Sequence, residues 1–371
     1  PSITNSGTIT AAVAGEAATA YGIRDLSGSL TSIVNQGGIF AAISPTDGTT
    51  DKDDDDTDPA NEVVTGKAIA LDLRANTSGV SFVQSGAVGR SNLDTDGDGI
   101  LDNTDTDDDN DGVLDGADTD DNDDDNDGVY DQDEPAVFGS ILLGSGSDTV
   151  SLQNGTVIGD IAFGAGADAL SISGGARYQG ALSDTDGQLT IDVSKGTLDA
   201  RQTTALNVTS LNVGSEGDLI VTVDPKNASA GGFIVSGTAT LADGAGLGVN
   251  FASLIEGQQQ FKIIDAATLN YGAVDLGSIS ANSPYLFVVG VTADVAAGDV
   301  YANARRRSAE EINLKGVEVA AYDAFYSALD DNSSILQAFL AQKERDGFIN
   351  LYEQMLPDHS GGPLMSLSAG V

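Results

Sequence analysis

The chain has 371 residues, with 57 Asp and Glu against 16 Lys and Arg, and a formal net charge of −41 at pH 7. Such an acidic surface repels nucleic acid and anionic lipid, so neither is an expected partner. The sequence has no Cys, which excludes a disulfide scaffold, a Cys-based zinc site and a Cys nucleophile. With 46 Gly and only 5% aromatic residues, the composition favours a thin, repetitive β structure over a large globular core.

The N-terminal region, 1–91, consists of short alternating apolar runs separated by Gly, Asn and Asp, which is the pattern of β-strands. Its acidic loop, 46–61, contains the run Asp53 to Asp56 without the spacing of a metal site, so we predict a solvated loop. Pro1 begins in the middle of a strand pattern and no signal peptide precedes it, so we expect a fragment of a longer precursor.

Segment 92–135 repeats one motif three times: Asp-x-Asp-x-Asp-Gly-(Ile/Val)-x-Asp-x-x-(Asp/Glu). In a calcium loop, carboxylates at positions 1, 3, 5, 9 and 12 and the carbonyl of position 7 bind the ion, while Gly at position 6 permits a sharp turn. The predicted Ca2+ ligands are Asp94, Asp96, Asp98, Ile100, Asp102, Asp105, Asp107, Asp109, Asp111, Val113, Asp115, Asp118, Asp123, Asp125, Asp127, Val129, Asp131 and Glu134. The alternative is a disordered acidic linker, because residues 94–134 hold 20 acids and no base.

Strand patterns resume in region 136–305, where the runs 144–152 and 164–172 share the pattern Gly-x-Gly-x-Asp-x-φ-x-φ (φ, apolar) at an offset of 20. That offset is typical of one turn of a parallel β-helix, with Gly at the corners. The runs also resemble half of a calcium-binding β-roll repeat, but Leu143 and Phe163 stand where those repeats have Gly, so we favour plain corners. Further strands are predicted at 189–193, 205–213, 218–223, 233–241, 247–251, 260–264 and 285–291.

Helical spacing replaces the strand pattern after the three Arg at 305–307. Ser308 and Glu311 predict a capping box, and helices are predicted over 317–329, 334–342 and 345–356. We interpret the Arg run as counter-charge near a helix start, rather than as a protease site or a membrane patch. Acidic residues interrupt the apolar stripe of 317–329, which therefore predicts a packing face and no direct membrane insertion.

In their order along the chain, these features resemble the passenger of a bacterial type V autotransporter of the pertactin-like kind. The resemblance is carried by the Gly-x-Gly-x-Asp runs, by 173–182, by the two Leu-Asn-Val motifs within 206–214, and by the ending 321–362. It implies an all-β fold, a right-handed parallel β-helix (solenoid) with an autochaperone-like cap at about 206–305. It also implies that 306–371 is a short α-helical linker preceding an outer-membrane β-barrel translocator, the chain's own partner, which is absent from this sequence. The irregular Asp-rich insertion is similar to thrombospondin type-3 calcium repeats.

The expected function is therefore that of a non-enzymatic rod at the bacterial cell surface, anchored at the outer membrane, with a calcium-stabilised insertion. Adhesion to host-cell, matrix or neighbouring-cell ligands is the role that this design suggests. One alternative is a glycan-acting lyase or hydrolase that would combine carboxylates with Lys67, Arg74, Arg177 or Arg201. Another is a region that serves only folding and secretion of the passenger. The single His, His359, lies in a Gly- and Pro-rich loop and is interpreted as a surface residue.

Overall fold

The computed structural model describes residues 1–15, 17–44, 64–86, 134–331 and 333–356. Of these residues, 48% lie in strands and 15% in helices, which confirms the mostly-β prediction. The acidic loop 46–61, the insertion from 92 to 133 and the C-terminal tail with His359 lie outside the described residues.

Parallel strands stack in three ladders: the first five repeats contribute one strand to each ladder, and later, longer strands run through the first two ladders. The first ladder consists of β1 (Ser2–Asn5), β4 (Ser32–Asn35), β7 (Ser81–Gln84), β10 (Thr149–Leu152), β13 (Ala169–Ile172), β16 (Thr190–Ala200) and β18 (Ser210–Asp224). The second consists of β2 (Thr8–Ala14), β5 (Gly38–Ser44), β8 (Ala136–Phe138), β11 (Thr156–Ile158), β14 (Arg177–Gly180), the later halves of β16 and β18, and β21 (Gly246–Phe251). The third is a five-stranded sheet of β3 (Thr19–Arg24), β6 (Lys67–Asp72), β9 (Ser140–Leu142), β12 (Ile161–Ala162) and β15 (Leu182–Ser183).

The predicted offset of 20 between the two Gly-x-Gly-x-Asp runs is confirmed as a strand pairing. Val150 pairs with Leu170 and Leu152 with Ile172 in the parallel ladder of β10 and β13. Successive side chains of a strand point to opposite faces, so this register places all four apolar side chains on the same face. Each of them is at most 1% exposed, which shows that neighbouring repeats bury one another's apolar face.

The core is a column of apolar side chains that continues from repeat to repeat. In the first ladder one column consists of Ile33, Phe82, Val150, Leu170, Ile191 and Leu211, each at most 2% exposed. Burying an apolar side chain of this size stabilises a fold by about 1.5–3 kcal/mol. The narrow core therefore gains its stability by repetition, as the low aromatic content predicts.

The pairing direction changes near the C-terminal end of the ladders. β17 (Leu206–Val208), β20 (Phe233–Leu241) and β22 (Gln259–Tyr271) still pair in parallel. β24 (Asp299–Arg306) then pairs antiparallel with both β22 and β23 (Phe287–Asp294), while the short β19 (Ser229–Ala230) pairs antiparallel with β18. The strand prediction at 285–291 is thus confirmed in β23, whereas β24 was missed.

Helices follow the last strands and pack on this end of the sheet. They are α2 (Ala309–Ile312), α3 (Val317–Ala328), a 3-10 turn (Leu329–Asp331), α4 (Ser333–Leu340) and α5 (Arg345–Met355). These confirm the helices predicted after 307, including the capping box, in which the side chains of Ser308 and Glu311 each accept the other's backbone N–H. Within the described ranges, no helix combines the length and apolar character needed to cross a membrane.

One helix, α1 (Leu276–Ala281), was not predicted. It begins at Asp275, whose side chain accepts the N–H of Gly277, and it ends at Asn282. The helix end lies directly on β21, because Gly248 has no side chain there: a Cβ at Gly248 would lie 2.4 Å from Cβ of Asn282. A close approach of this kind requires glycine.

Candidate functional site: the corner that carries the acidic insertion

The acidic insertion replaces a tight turn between two stacked strands. Two residues separate β1 from β2 and β4 from β5, and three separate β10 from β11. At the equivalent corner between β7 and β8, the described chain stops at Gly86 and resumes at Glu134. The three calcium-loop motifs are therefore inserted where other repeats need only a short turn.

The chain on either side of the insertion is hydrogen-bonded to the preceding repeat. Ser85 N donates to Asn35 O at 3.0 Å on the outgoing side, and Ala136 N donates to Gly37 O at 3.1 Å on the returning side. The strands that flank the insertion pair with their neighbours on both sides, β7 with β4 and β10, and β8 with β5 and β11. The insertion thus leaves the register of the ladders intact.

A ladder of buried amides lies beneath this corner. Asn5 Nδ2 donates to Asn35 Oδ1 at 2.8 Å, Asn35 Nδ2 donates to Gln84 Oε1 at 3.3 Å, and Gln84 Nε2 donates to the carbonyl of Asn154 at 3.1 Å. A carboxamide both donates and accepts, so amides stacked in register satisfy one another without charge. Sequence reasoning missed this feature, although each amide stands three residues after the serine that begins its strand.

The predicted calcium ligands, except Glu134, lie outside the described residues, so calcium binding stays a prediction. Glu134 precedes Pro135 and β8, where the insertion rejoins the sheet. The predicted donors are carboxylates with one carbonyl per loop, and oxygen donors of this kind fit Ca2+, a hard cation that takes 6–8 oxygen ligands. In the part of the chain that the structure describes, no three acidic, His or Cys side chains are grouped so as to hold a metal ion.

The carboxylates of the two Gly-x-Gly-x-Asp runs act as acceptors for backbone donors. Asp148 Oδ1 accepts the N–H of Val80 at 2.6 Å, and Asp168 Oδ1 accepts the N–H of Asp148 at 2.7 Å. The two residues are 0% and 1% exposed, and their Oδ2 atoms have no partner among the described residues. Burial raises the pKa of the Asp148 carboxyl and raises the pKa of Asp168 to about 6. Each of these corners therefore places a buried carboxylate against a backbone donor of the neighbouring repeat.

The three consecutive Arg hold the helical end on the sheet. Arg305 forms a bidentate ion pair with Glu311, at 2.7 and 2.6 Å, and this bond together with the cap lowers the pKa of Glu311 to about 2. Arg306 donates to Asp323 at 2.9 Å. Arg307 instead donates to the carbonyl of Tyr285 at 2.8 Å. The counter-charge interpretation is therefore confirmed for the first two.

A cleft of about 600 Å³ lies between α3 and the loop that follows β21. Glu256, Asp323 and Asp330 line it together with Lys226 and Arg306. The basic groups are paired, since Arg306 binds Asp323 and Lys226 Nζ lies 3.6 Å from Asp330 Oδ2. The cleft thus brings carboxylates and bases to one surface, although none of these residues was considered for a glycan-cleaving site from the sequence.

The four basic residues considered for a glycan-cleaving site lie at the ends of different strands or in the turns after them. Arg74 binds Asp72 through two bonds of 2.8 and 2.9 Å, and Arg201 binds Asp199 at 2.5 Å. Lys67 begins β6 in the third ladder and Arg177 begins β14 in the second. The structure does not bring them together as one site.

The fold and the corner together show the class of this protein: it is a mostly-β protein of stacked parallel strands with a long acidic insertion at one corner. Comparisons with protein-family models, with curated proteins and with solved structures find no match for this chain. Its function is therefore argued from the geometry and from the sequence motifs.

Proposed function

We propose that the chain is a non-enzymatic display module in which a right-handed parallel β-helix carries a calcium-stabilised insertion at one corner. The observation that carries this proposal is that three calcium-loop motifs replace a short turn while the flanking strands keep their parallel partners on both sides. Binding residues commonly lie on loops that a rigid scaffold positions. The stacked strands are the scaffold, and the insertion is the binding surface.

The regular spacing of the ladders supports the β-helix. Corresponding residues of β10, β13, β16 and β18 are separated by 20, 21 and 20 positions, as in Thr149, Ala169, Thr190 and Ser210. Repeats of nearly constant length, whose strands pair in parallel with those of the next repeat, are what a solenoid requires. In such a fold each repeat contacts only its neighbours, so a corner can accept an insertion without disturbing distant repeats.

The charge of the insertion supports its dependence on calcium. Residues 94–134 contain 20 acids and no base, so the carboxylates repel one another unless cations neutralise them. Extracellular calcium, at millimolar concentration, suits weak sites built from many carboxylates. We therefore place the module outside the cell, as the passenger of a type V autotransporter held at the bacterial outer membrane by its own β-barrel translocator.

Limited proteolysis of the full chain in calcium and in chelator tests the calcium dependence. With chelator, we expect rapid cleavage within 92–135, because like charges then extend the segment. The ladders should resist cleavage in both conditions, since their strands are held by hydrogen bonds and apolar contacts between neighbouring repeats. An identical digestion pattern across a calcium titration would refute the proposal.

Adhesion is tested by coupling the chain to beads. We expect calcium-dependent attachment either to collagen- or glycan-coated surfaces or to beads that carry the same chain. The variant chain has Asp96, Asp109 and Asp125 changed to Asn. Each of these residues is position 3 of one motif, a predicted calcium ligand. Changing Asp53, Asp54 and Asp55 to Asn removes the same charge from the acidic loop and is the control.

A glycan-cleaving enzyme is the second candidate, favoured by the cleft beside α3 with its three carboxylates and two bases. Glycosidases use a pair of carboxylates across the scissile bond. The test is release of reducing ends or unsaturated products from neutral and acidic polysaccharides. Activity that Glu256→Gln abolishes would favour the enzyme, and absence of product with every polysaccharide would count against it.

A further inference from the structure

Lys343, in the loop between α4 and α5, reaches a side-chain amide of the sheet. Its Nζ donates to Asn250 Oδ1 at 3.4 Å and to the carbonyl of Asn282 at 3.3 Å. Asn250 belongs to β21 and is 6% exposed. Asn282 can lie here because Gly248 leaves room for the end of α1. An amine is thus held against a buried carboxamide 93 positions away in the chain.

A carboxylate holds the other side of the same amide. Asn250 Nδ2 donates to Asp199 Oδ1 at 2.7 Å, and Asp199 Oδ2 accepts from Arg201 Nη2 at 2.5 Å. Asp199 is itself buried. The carboxamide of Asn250 therefore lies between a primary amine at its oxygen and a carboxylate at its nitrogen.

We propose that Lys343 and Asn250 react to form an intramolecular isopeptide bond, with Asp199 as the proton carrier. The lone pair of Nζ attacks Cγ of Asn250, forming a C–N bond and a tetrahedral intermediate. Asp199 takes a proton from Nζ and delivers it to Nδ2, the atom that it already binds. The Cγ–Nδ2 bond breaks, Nδ2 leaves as ammonia, and a secondary amide joins the two side chains. Amine and carboxamide balance amide and ammonia, so no oxidant or co-reactant is needed.

The surroundings of Lys343 favour the reactive form of its amine. Only the neutral amine is a nucleophile, and desolvation of a lysine is an established way to obtain it. Burial lowers the pKa of Lys343 to about 8; the charge of Asp199 acts in the opposite direction and that of Arg201 lowers the pKa further. At pH 8 about half of the amines are then neutral.

The bond would serve as a covalent tie in a chain that contains no cysteine. It joins the helical end, through the loop before α5, to β21 of the second ladder. A cross-link of this kind restricts the unfolded chain, as a disulfide does. The tie does not depend on the insertion, so its formation is independent of calcium and of the function proposed above.

Intact-mass measurement of the full chain, after incubation at pH 8 to 9, tests the proposal. We expect a mass lower by one ammonia than the sequence requires, and a tryptic species in which the peptides containing Asn250 and Lys343 are joined. Lys343→Arg keeps the positive charge but should show the full mass. Asn250→Asp should lose water in place of ammonia and reach the same product mass as the wild type.

Cyclisation of an asparagine to a succinimide also releases ammonia, and the variants distinguish it. A succinimide would persist in Lys343→Arg and would give no joined peptide, and this outcome would overturn the proposal. The full, unreacted mass of the folded wild-type chain after incubation would also overturn it. The joined peptide and the intact mass are both measured on the wild type, so the proposal stays testable even if Lys343→Arg does not fold.

Discussion

The backbone N–H of Asp148 donates to Oδ1 of Asp168 at 2.7 Å, and the two residues lie 20 positions apart. One repeat earlier the same contact recurs, with Oδ1 of Asp148 accepting the backbone N–H of Val80. Each carboxylate satisfies a backbone donor that would otherwise be buried without a partner, at the cost of burying a carboxylate. These corners therefore join neighbouring repeats and also make their stability depend on pH.

The change Asp168→Asn should remove part of this pH dependence. The folded-state pKa of Asp168 is about 6, above its ordinary value of 3.8, so the folded chain holds the proton more tightly. The resulting stabilisation is present at low pH and is lost as pH rises through 6. Between pH 5 and 7.5 the free energy of unfolding should fall further in the wild type than in the variant. The difference between the two falls should be on the order of 1–2 kcal/mol.

Urea unfolding at the two pH values gives this comparison. Asp192→Asn is the matched control, because it removes the same charge from an exposed position of β16. Parallel pH curves for the wild type and Asp168→Asn would contradict the prediction.

The apolar column predicts a large difference between two truncations in neighbouring repeats. Leu170 is 1% exposed, so Leu170→Ala should lower the free energy of unfolding by about 2–5 kcal/mol through lost burial and a cavity. Ile158 points outward and is 42% exposed, so Ile158→Ala should change the free energy of unfolding by less than about 0.5 kcal/mol. Urea unfolding of both variants checks the prediction. Equal losses would mean that the two strand faces are not distinguished as described.

Arg306 predicts a specific loss when it is replaced by lysine. Its guanidinium lies 3.9 Å from the ring centre of Tyr322 and 4.1 Å from that of Tyr326, and it also binds Asp323. A lysine keeps the charge but cannot stack its flat face on two rings. Arg306→Lys should therefore speed hydrogen exchange in α3, while exchange in the ladders stays unchanged. The exposed Arg177, changed to Lys, is the control, and similar exchange in both variants would contradict the role assigned to Arg306.

Calorimetric titration should assign calcium ions to individual motifs. The wild type is expected to bind at least three ions, one for each motif. Changing Asp111 and Asp118 to Asn alters positions 5 and 12 of the second motif and should lower the stoichiometry by one. Changing Asp54 and Asp55 removes the same charge outside the motifs and should leave the stoichiometry unchanged. Equal losses from both pairs would indicate diffuse charge attraction rather than sites.

Several elements could be predicted because their signals are local. The capping box needs only Ser308 and Glu311, three residues apart, and both of its hydrogen bonds are present. The offset between the Gly-x-Gly-x-Asp runs indicated the pairing of Val150 with Leu170, since equal spacing of identical patterns places like residues in register. In contrast, α1 is only six residues long, which is too short to show a helical pattern, and the sequence of β24 does not indicate which strands it pairs with. Strand alternation tells which residues share a face, but not whether the neighbouring strand runs parallel or antiparallel.

The sequence by itself determined the offset of 20 between repeats, most of the strand and helix patterns and the regular spacing of the acidic residues in the three motifs, because these depend on residues close together in the chain. Only the tertiary structure decided that Asp148 and Asp168 are buried, that the amides of Asn35 and Gln84 stack, and that Lys343 meets Asn250. Those contacts join residues 20, 49 and 93 positions apart. They arise from how repeats and helices pack, and no local pattern specifies that packing.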